Sequence, residues 1–258
     1  MSGPWTPPAG GRRPADPRRT TAIVAIIAGA VVVFLVRTHH LSRFTLIYFC
    51  VLIPSIILHE VSHGFVANLL GDDTAKRAGR LTLNPVPHID PLGSVVVPAL
   101  LLLSGAGVAF GWAKPVPVNV GRLRRPRNGS VWVSLAGPAT NAVIFLGAAL
   151  AYRSLYLHTL QLSPSGDFPL GPEFLITAAL ANLTIGFFNL IPIPPLDGSA
   201  VVERLVPAKH LQRYYQLRPY GMLIVFAVAI FVLPSSAVGN RLFNAEAHLW
   251  GAVSGTGS

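Results

Sequence analysis

The sequence predicts an all-α polytopic membrane protein: five clear transmembrane helices, a re-entrant or sixth apolar segment, and a short membrane-associated β-hairpin. Three observations predict it. Hydrophobic residues make up 52% of the 258 positions and charged residues only 12%, with a mean hydropathy of +0.55, well outside the soluble globular range. Uninterrupted apolar runs of bilayer-crossing length recur along the chain. Finally, His59, Glu60 and His63 stand inside one such run and Asp197 beside another, where ionisable side chains are expensive and point to function.

Taken in order, residues 1–19 are rich in Pro, Gly and Arg (Arg12, Arg13, Arg18, Arg19) and read as a disordered basic arm. No clean small-residue cleavage site follows, so this is not a cleavable signal. Thr20–Val36 is the first span, and the arginines before it place the N-terminus in the cytoplasm. His39 and His40 form a polar turn and read as solvated rather than ligating. Phe44–Leu70 is the second span. Pro54 bends it five residues before His59, and Gly71-Asp72-Asp73 ends it.

Leu81–Gly93 (LTLNPVPHIDPLG) carries three prolines and is expected to be non-helical. Ser94–Phe110 is apolar, but it is broken by Pro98, Gly105 and Gly107 and is short for a span. Gly111–Asn119 alternates prolines in the manner of an edge strand. Arg122, Arg124, Arg125 and Arg127 form a basic loop before the next span, Ser130–Tyr152. Phe174–Ile193 is another span and runs into Pro192-Ile193-Pro194-Pro195-Leu196-Asp197-Gly198. A basic loop with Arg204, Lys209, Arg213 and Arg218 follows, then a short last span, Tyr220–Leu233. Residues 20–233 thus form one membrane domain, and 234–258 read as a flexible tail.

The net charge of +10 comes from 20 basic and 10 acidic side chains. It fits positive-inside loops facing an anionic leaflet. No aromatic-interleaved basic patch suggests nucleic acid as a partner. Cys50 is the single cysteine, so neither an internal disulfide nor a cysteine metal cluster can form. Nothing in the pattern specifies an oligomeric state.

The chemistry centres on His59-Glu60-Val61-Ser62-His63. Histidines four apart lie on one helical face, where both imidazoles reach one zinc ion, and Glu60 stands beside them as a general base. Catalytic zinc takes three protein ligands, and Asp197, following a proline-broken helix end, is the best candidate for the third, against a turn carboxylate at a helix end. If these residues share one metal, the helices carrying them run parallel, with Ser130–Tyr152 as the single crossing between them. Ser94–Phe110 then enters the membrane and returns, forming a hairpin with the GWAKPVPVN segment. Asn141 is a candidate amide donor to a developing oxyanion, or else an interhelical hydrogen-bonding residue. His88 and Asp90 read as structural, with no second metal. Lys114, Pro115, Val116, Pro117, Val118 and Asn119 are expected to bind an extended substrate by β-augmentation.

HEVSH at 59–63, AGPATN at 136–141 and NLIPIPPLDG at 189–198, with NPVPHIDPLGS and FGWAKPVPVN, resemble the site-2 protease family of intramembrane zinc metalloproteases. The last two look like the compact bacterial branch without a PDZ domain. The resemblance implies one zinc per chain on His59, His63 and Asp197, Glu60 as base, and Asn189 steadying the oxyanion. It also implies cleavage in or near the transmembrane helices of membrane-protein substrates, within the lipid bilayer. An integral protein of the bacterial plasma membrane follows, with its active site nearer the cytoplasmic face. The competing reading is a non-proteolytic zinc-binding membrane protein, either a transporter or an assembly partner. A transporter spreads polar residues through several spans, whereas here they converge on two helix ends.

Overall fold

The computed structural model describes residues 42–98, 111–157, 169–216, 218–227 and 237–256. The expected arm at 1–19, the first span at 20–36, the remainder of the re-entrant segment at 99–110, and residues 228–233 of the last span lie outside the described residues. What is described is helical, and three helices are long and apolar enough to cross a membrane. They are α1 (Arg43–Leu69), α3 (Pro126–Tyr156) and α4 (Leu170–Asn189). Between and after them come the short α2 (Thr74–Arg77), α5 (Ser199–Leu205), α6 (Ala208–Tyr215), α7 (Arg218–Ala227) and α8 (Ala237–Ser254).

Helix α1 begins at Ser42, whose hydroxyl accepts from Thr45 N, and continues through Pro54. It stops because Gly71 takes a left-handed conformation (φ 105°), which lets Asp72 N–H reach back to Ala67 O at 2.9 Å. Helices α1 and α4 run parallel. Arg43 meets Glu173 at their N-terminal ends (2.7 Å), and Asn182 reaches Ser55 midway along (2.9 Å). Helix α3 crosses between them antiparallel to both. Small residues set the spacing: Ala148, Ala149, Ala178 and Ala179 line the seam with Val51, Phe145 and Leu183. Lipid offers no hydrophobic drive for helix association, so close backbone approach and interhelical hydrogen bonds carry this packing.

Residues 237–254, expected to lie in a flexible tail, instead form helix α8. Arg241, Glu246 and His248 disguise its apolar side in the sequence, but Trp250 and Val253 pack on the central seam. The Trp250 ring lies 5.0 Å from that of Tyr152.

The chain forms two compact units. In its described part the smaller holds 90–98 with 111–112. There Asp90 Oδ1 accepts from Gly93 N (2.7 Å), Ser94 Oγ donates to Trp112 O (2.8 Å), and Trp112 N donates to Gly93 O (3.1 Å). The Leu81–Gly93 stretch is not free of helix as expected. Turns form at Val86–His88 and from Pro91, because a proline at the first or second position of a turn (Pro91 and Pro87) surrenders an N–H that would have no partner anyway.

No strand occurs among the described residues, so the expected β-hairpin is replaced by something else. Residues 113–119, in the larger unit, form an unpaired strap laid on α1 and the turns after it. Pro115 and Pro117 have no N–H to offer a neighbouring strand. Three of the other amides turn to other acceptors: Lys114 N to His88 O (2.8 Å), Val116 N to Glu60 Oε2 (2.9 Å) and Asn119 N to Asp72 Oδ2 (2.6 Å). Gly64 lets the strap come close, since a Cβ there would sit 2.9 Å from Val116 Cγ1.

Asp72 is fully buried at the foot of the strap and also accepts from Thr74 N (3.1 Å) and the Thr74 hydroxyl. Burial pushes its carboxyl up, but these hydrogen bonds and nearby Arg122 outweigh it and hold the group below the ordinary carboxylate range. A folded pKa below the unfolded one stabilises above the unfolded value, about 4, and that contribution is lost as pH falls through the folded value. Asp72→Ala is therefore expected to cost about 2–3 kcal/mol at neutral pH. In detergent melts from pH 7 to 3, the gap from wild type should narrow below about pH 4; a gap that is constant with pH would contradict the assignment.

Candidate metal centre

His59 and His63 occupy successive turns of one face of α1, and both are buried, 5% and 8% exposed. Each imidazole has its Nδ1 tied to an acceptor on α3: His59 Nδ1 to Asn141 Oδ1 and His63 Nδ1 to Val133 O, both at 2.6 Å. A carbonyl oxygen can only accept, so the proton sits on Nδ1 of each ring and Nε2 is left as a lone pair. Asn141 has no freedom to reverse this, because its Nδ2 donates to Asn182 Oδ1 at 2.7 Å. Asn182 Nδ2 in turn donates to Ser55 Oγ (2.9 Å) and Ala178 O (2.8 Å), and Ser55 Oγ donates to Val51 O (2.8 Å). One polar chain thus runs His59–Asn141–Asn182–Ser55 through the three long helices, with both asparagines fully buried.

Asp197 arrives from the loop after α4. That helix ends at Asn189, and prolines 192, 194 and 195 forbid its continuation. The loop folds back so tightly that Gly198 N donates to Asn189 O at 2.7 Å, and a Cβ on Gly198 would lie 2.1 Å from Leu190 O. Two further contacts hold it: Tyr214 Oη donates to Pro192 O (3.3 Å), and Gly221 of α7 abuts the Pro194 carbonyl. After the loop, α5 is clasped to the start of α3. Arg127 Nη2 donates to the carbonyls of Arg204 and Val206 (3.1 Å each), and Arg204 Nε donates to Asn128 Oδ1 (2.6 Å).

The result is convergence. Asp197 Oδ2 lies 3.1 Å from His59 Nε2, and Oδ1 lies 3.4 Å from His63 Nε2. One ligand atom from each of the three residues falls within 4.8 Å of the others. With both protons on Nδ1, lone pairs and carboxylate oxygens face one another with no hydrogen between them, and buried Asp197 Oδ2 receives no hydrogen bond. With neutral rings that arrangement repels itself unless positive charge sits in it, either a proton on each Nε2 or a shared metal ion. Two neutral imidazoles and a carboxylate are the donor set that zinc takes in open catalytic sites. Gly137 of α3 completes the cradle: a Cβ there would sit 2.4 Å from His59 Nε2 and 2.5 Å from His63 Nε2.

The other candidates sit as follows. Glu60, on the same turn as His59, accepts from Val116 N. Asn189 Nδ2 donates to Ile185 O in its own helix (3.0 Å). Lys114, Pro115, Val116, Pro117, Val118 and Asn119 all lie on the strap, with Val116 buried. His88 is buried, with Nε2 on Thr82 O (3.0 Å) and Nδ1 unpartnered, while Asp90 caps its own turn. Gly137, Asn182 and Ser55 were not singled out in the sequence. The available signals were Gly137 inside AGPATN and an asparagine in the middle of an apolar run.

Apolar helices of membrane-crossing length that bring two histidines and a loop aspartate together define an integral membrane protein with a group that could hold a metal ion. The chain belongs to peptidase family M50, the site-2 protease family of intramembrane zinc metalloproteases. The M50 profile matches residues 171–233, and three relatives extend the likeness. The YwhC protein of Bacillus subtilis, whose name marks it as a candidate zinc metalloprotease, is 42% identical over 185 residues, covering 71% of this chain and 78% of its own length. The Rip2 protein of Mycolicibacterium smegmatis, named in the same way, is 33% identical over 68% of this chain and 63% of its own. Zinc metalloprotease MJ0392 of Methanocaldococcus jannaschii is 27% identical over 66% of this chain and 37% of its own. No solved structure matches.

Removing an amide that orients a zinc-ligating histidine costs about 10–100-fold in metal affinity, and filling the cradle costs more. Asn141→Leu and Asn182→Leu are thus expected to weaken zinc binding by about that factor. Gly137→Ala should weaken it beyond a hundredfold, as measured by competition with a chromophoric chelator. Wild-type affinity in Gly137→Ala would show that α3 does not wall the site.

Proposed function

We propose that the protein is a zinc-dependent intramembrane endopeptidase that hydrolyses peptide bonds in or near transmembrane segments of membrane-protein substrates. The observation that carries this is the His59–His63–Asp197 convergence beside Glu60, at the ends of apolar helices. His59, His63 and Asp197 would hold one zinc ion. Bound there, zinc acts as a Lewis acid that acidifies water and polarises the scissile carbonyl.

The remaining work belongs to the chain. Glu60 takes the proton of the attacking water and passes it to the leaving amine. The burial of the site among α1, α3 and α4 restricts bulk water. Asn141 is placed for a positioning role rather than the oxyanion role expected from sequence, because its carbonyl is spent on His59 and its amide on Asn182. Asn189 serves the oxyanion once its amide leaves Ile185 O. The strap at 114–119 receives the unwound substrate. With the amides of Lys114, Val116 and Asn119 bonded and the Lys114 and Pro115 carbonyls on Arg80, the backbone groups left to a substrate are those of 116–118.

Lys76, Arg77, Arg122, Arg124, Arg125 and Arg127 flank the end of α1 and the start of α3, the same ends that carry the site. The positive-inside tendency puts this face in the cytoplasm of a bacterial plasma membrane, with the N-terminus on the same side.

The test is cleavage of a reporter transmembrane peptide by the purified full chain in micelles. Wild type should cut it in a chelator-sensitive manner. Glu60→Gln should retain zinc yet lose activity by at least about 10²–10⁴-fold. Zinc binding without any cleavage by wild type would instead favour the non-proteolytic alternative.

A further inference from the structure

Arg80 is a buried guanidinium, 7% exposed, with no carboxylate at ion-pairing distance among the described residues. Its Nη2 donates to Lys114 O (2.6 Å) and Pro115 O (3.4 Å), and its Nε has no acceptor. A buried guanidinium without a carboxylate in direct contact is costly, and the acid whose charge acts on it is Glu60. The position of those carbonyls gives it a purpose. The Pro115 carbonyl shares its peptide unit with the Val116 N–H, which donates to Glu60 Oε2 at 2.9 Å. Arg80 therefore grips the strap immediately before the amide that holds the carboxylate.

We propose that Arg80 is a positioning residue for Glu60: it fixes the carbonyls of Lys114 and Pro115, and so keeps the Val116 N–H on the Glu60 carboxylate. This rests on Glu60 being the general base. The strap has no strand partner to hold it, so side chains must do so. Arg80 fastens one end and Asp72, on Asn119 N, the other. Pro115 and Pro117 fix two of the intervening φ angles, so a grip on 114–115 is transmitted to 116 rather than absorbed. With Oε2 committed to Val116, proton transfer falls to Oε1. Both contacts come from the one nitrogen Nη2, so a lysine ammonium, a compact donor on a flexible stem, can replace them in part.

The experiment uses the purified full chain in micelles as wild type, Arg80→Met, Arg80→Lys and Glu60→Ala. Three quantities are read: bound zinc, kcat and KM on a reporter transmembrane peptide, and hydrogen exchange of the Val116 amide. Arg80→Met is expected to keep its zinc and its KM while kcat falls about a hundredfold, the scale of a small misplacement of a reacting group. The Val116 amide should exchange at least tenfold faster in Arg80→Met and in Glu60→Ala. Arg80→Lys should recover part of kcat and part of the protection. Unchanged Val116 exchange in Arg80→Met overturns the proposal, as does an unchanged kcat. Loss of zinc together with kcat in both Arg80 variants also overturns it, by making Arg80 a general structural residue. If wild type binds zinc and protects Val116 in an Arg80-dependent way but cleaves nothing, the linkage stands and the proteolytic reading fails.

Discussion

The centre of this protein depends on where two imidazole protons sit. Asn141 Oδ1 and Val133 O can only accept, so His59 and His63 carry their protons away from each other and turn bare nitrogens toward Asp197. Other features follow from that constraint. Helix α3 must cross α1 with its backbone close enough to offer Val133 O, which places Gly137 where no side chain fits. Helix α4 must lie parallel to α1, so that the loop beyond it delivers a carboxylate to the same depth.

The bonds that prepare the metal site also hold the bundle together. In a bilayer, apolar side chains gain little by leaving lipid for protein, and association leans on close packing and interhelical hydrogen bonds. The Asn141–Asn182–Ser55 chain links the three long helices and terminates on a ligand. A change that loosens the helices therefore loosens His59 with them. The strap repeats this economy at the membrane face, where charged side chains from α1 and its following turns organise an irregular segment and are themselves placed by it.

Much of this was legible in the amino-acid order, and the failures have a common cause. The three long spans follow from local apolar runs, and their ends from Ser42, Gly71 and the prolines at 192–195. His59 and His63 are four apart, so one helix face brings them together without knowledge of the rest. Asn182 is different: its partner Ser55 is 127 residues away, and an asparagine in an apolar run does not announce which helix it will meet. The hairpin expectation failed because alternating prolines mark an extended segment without saying whether a strand lies beside it. Helix α8 was missed because Arg241, Glu246 and His248 dilute the apolar signal on a helix whose packing rests on Trp250 and Val253.

The sequence separation of the ligands also bears on synthesis. Asp197 leaves the ribosome 134 residues after His63 (197 − 63). At about 5–20 residues per second, that is a delay of roughly 7–27 s. Through that interval the nascent chain already holds the histidine pair and the glutamate in a membrane crowded with other helices, yet lacks the carboxylate that completes the donor set. With Asp197 on the loop beyond α4, the donor set stays incomplete until α1, α3 and α4, which enclose the site, have all been made.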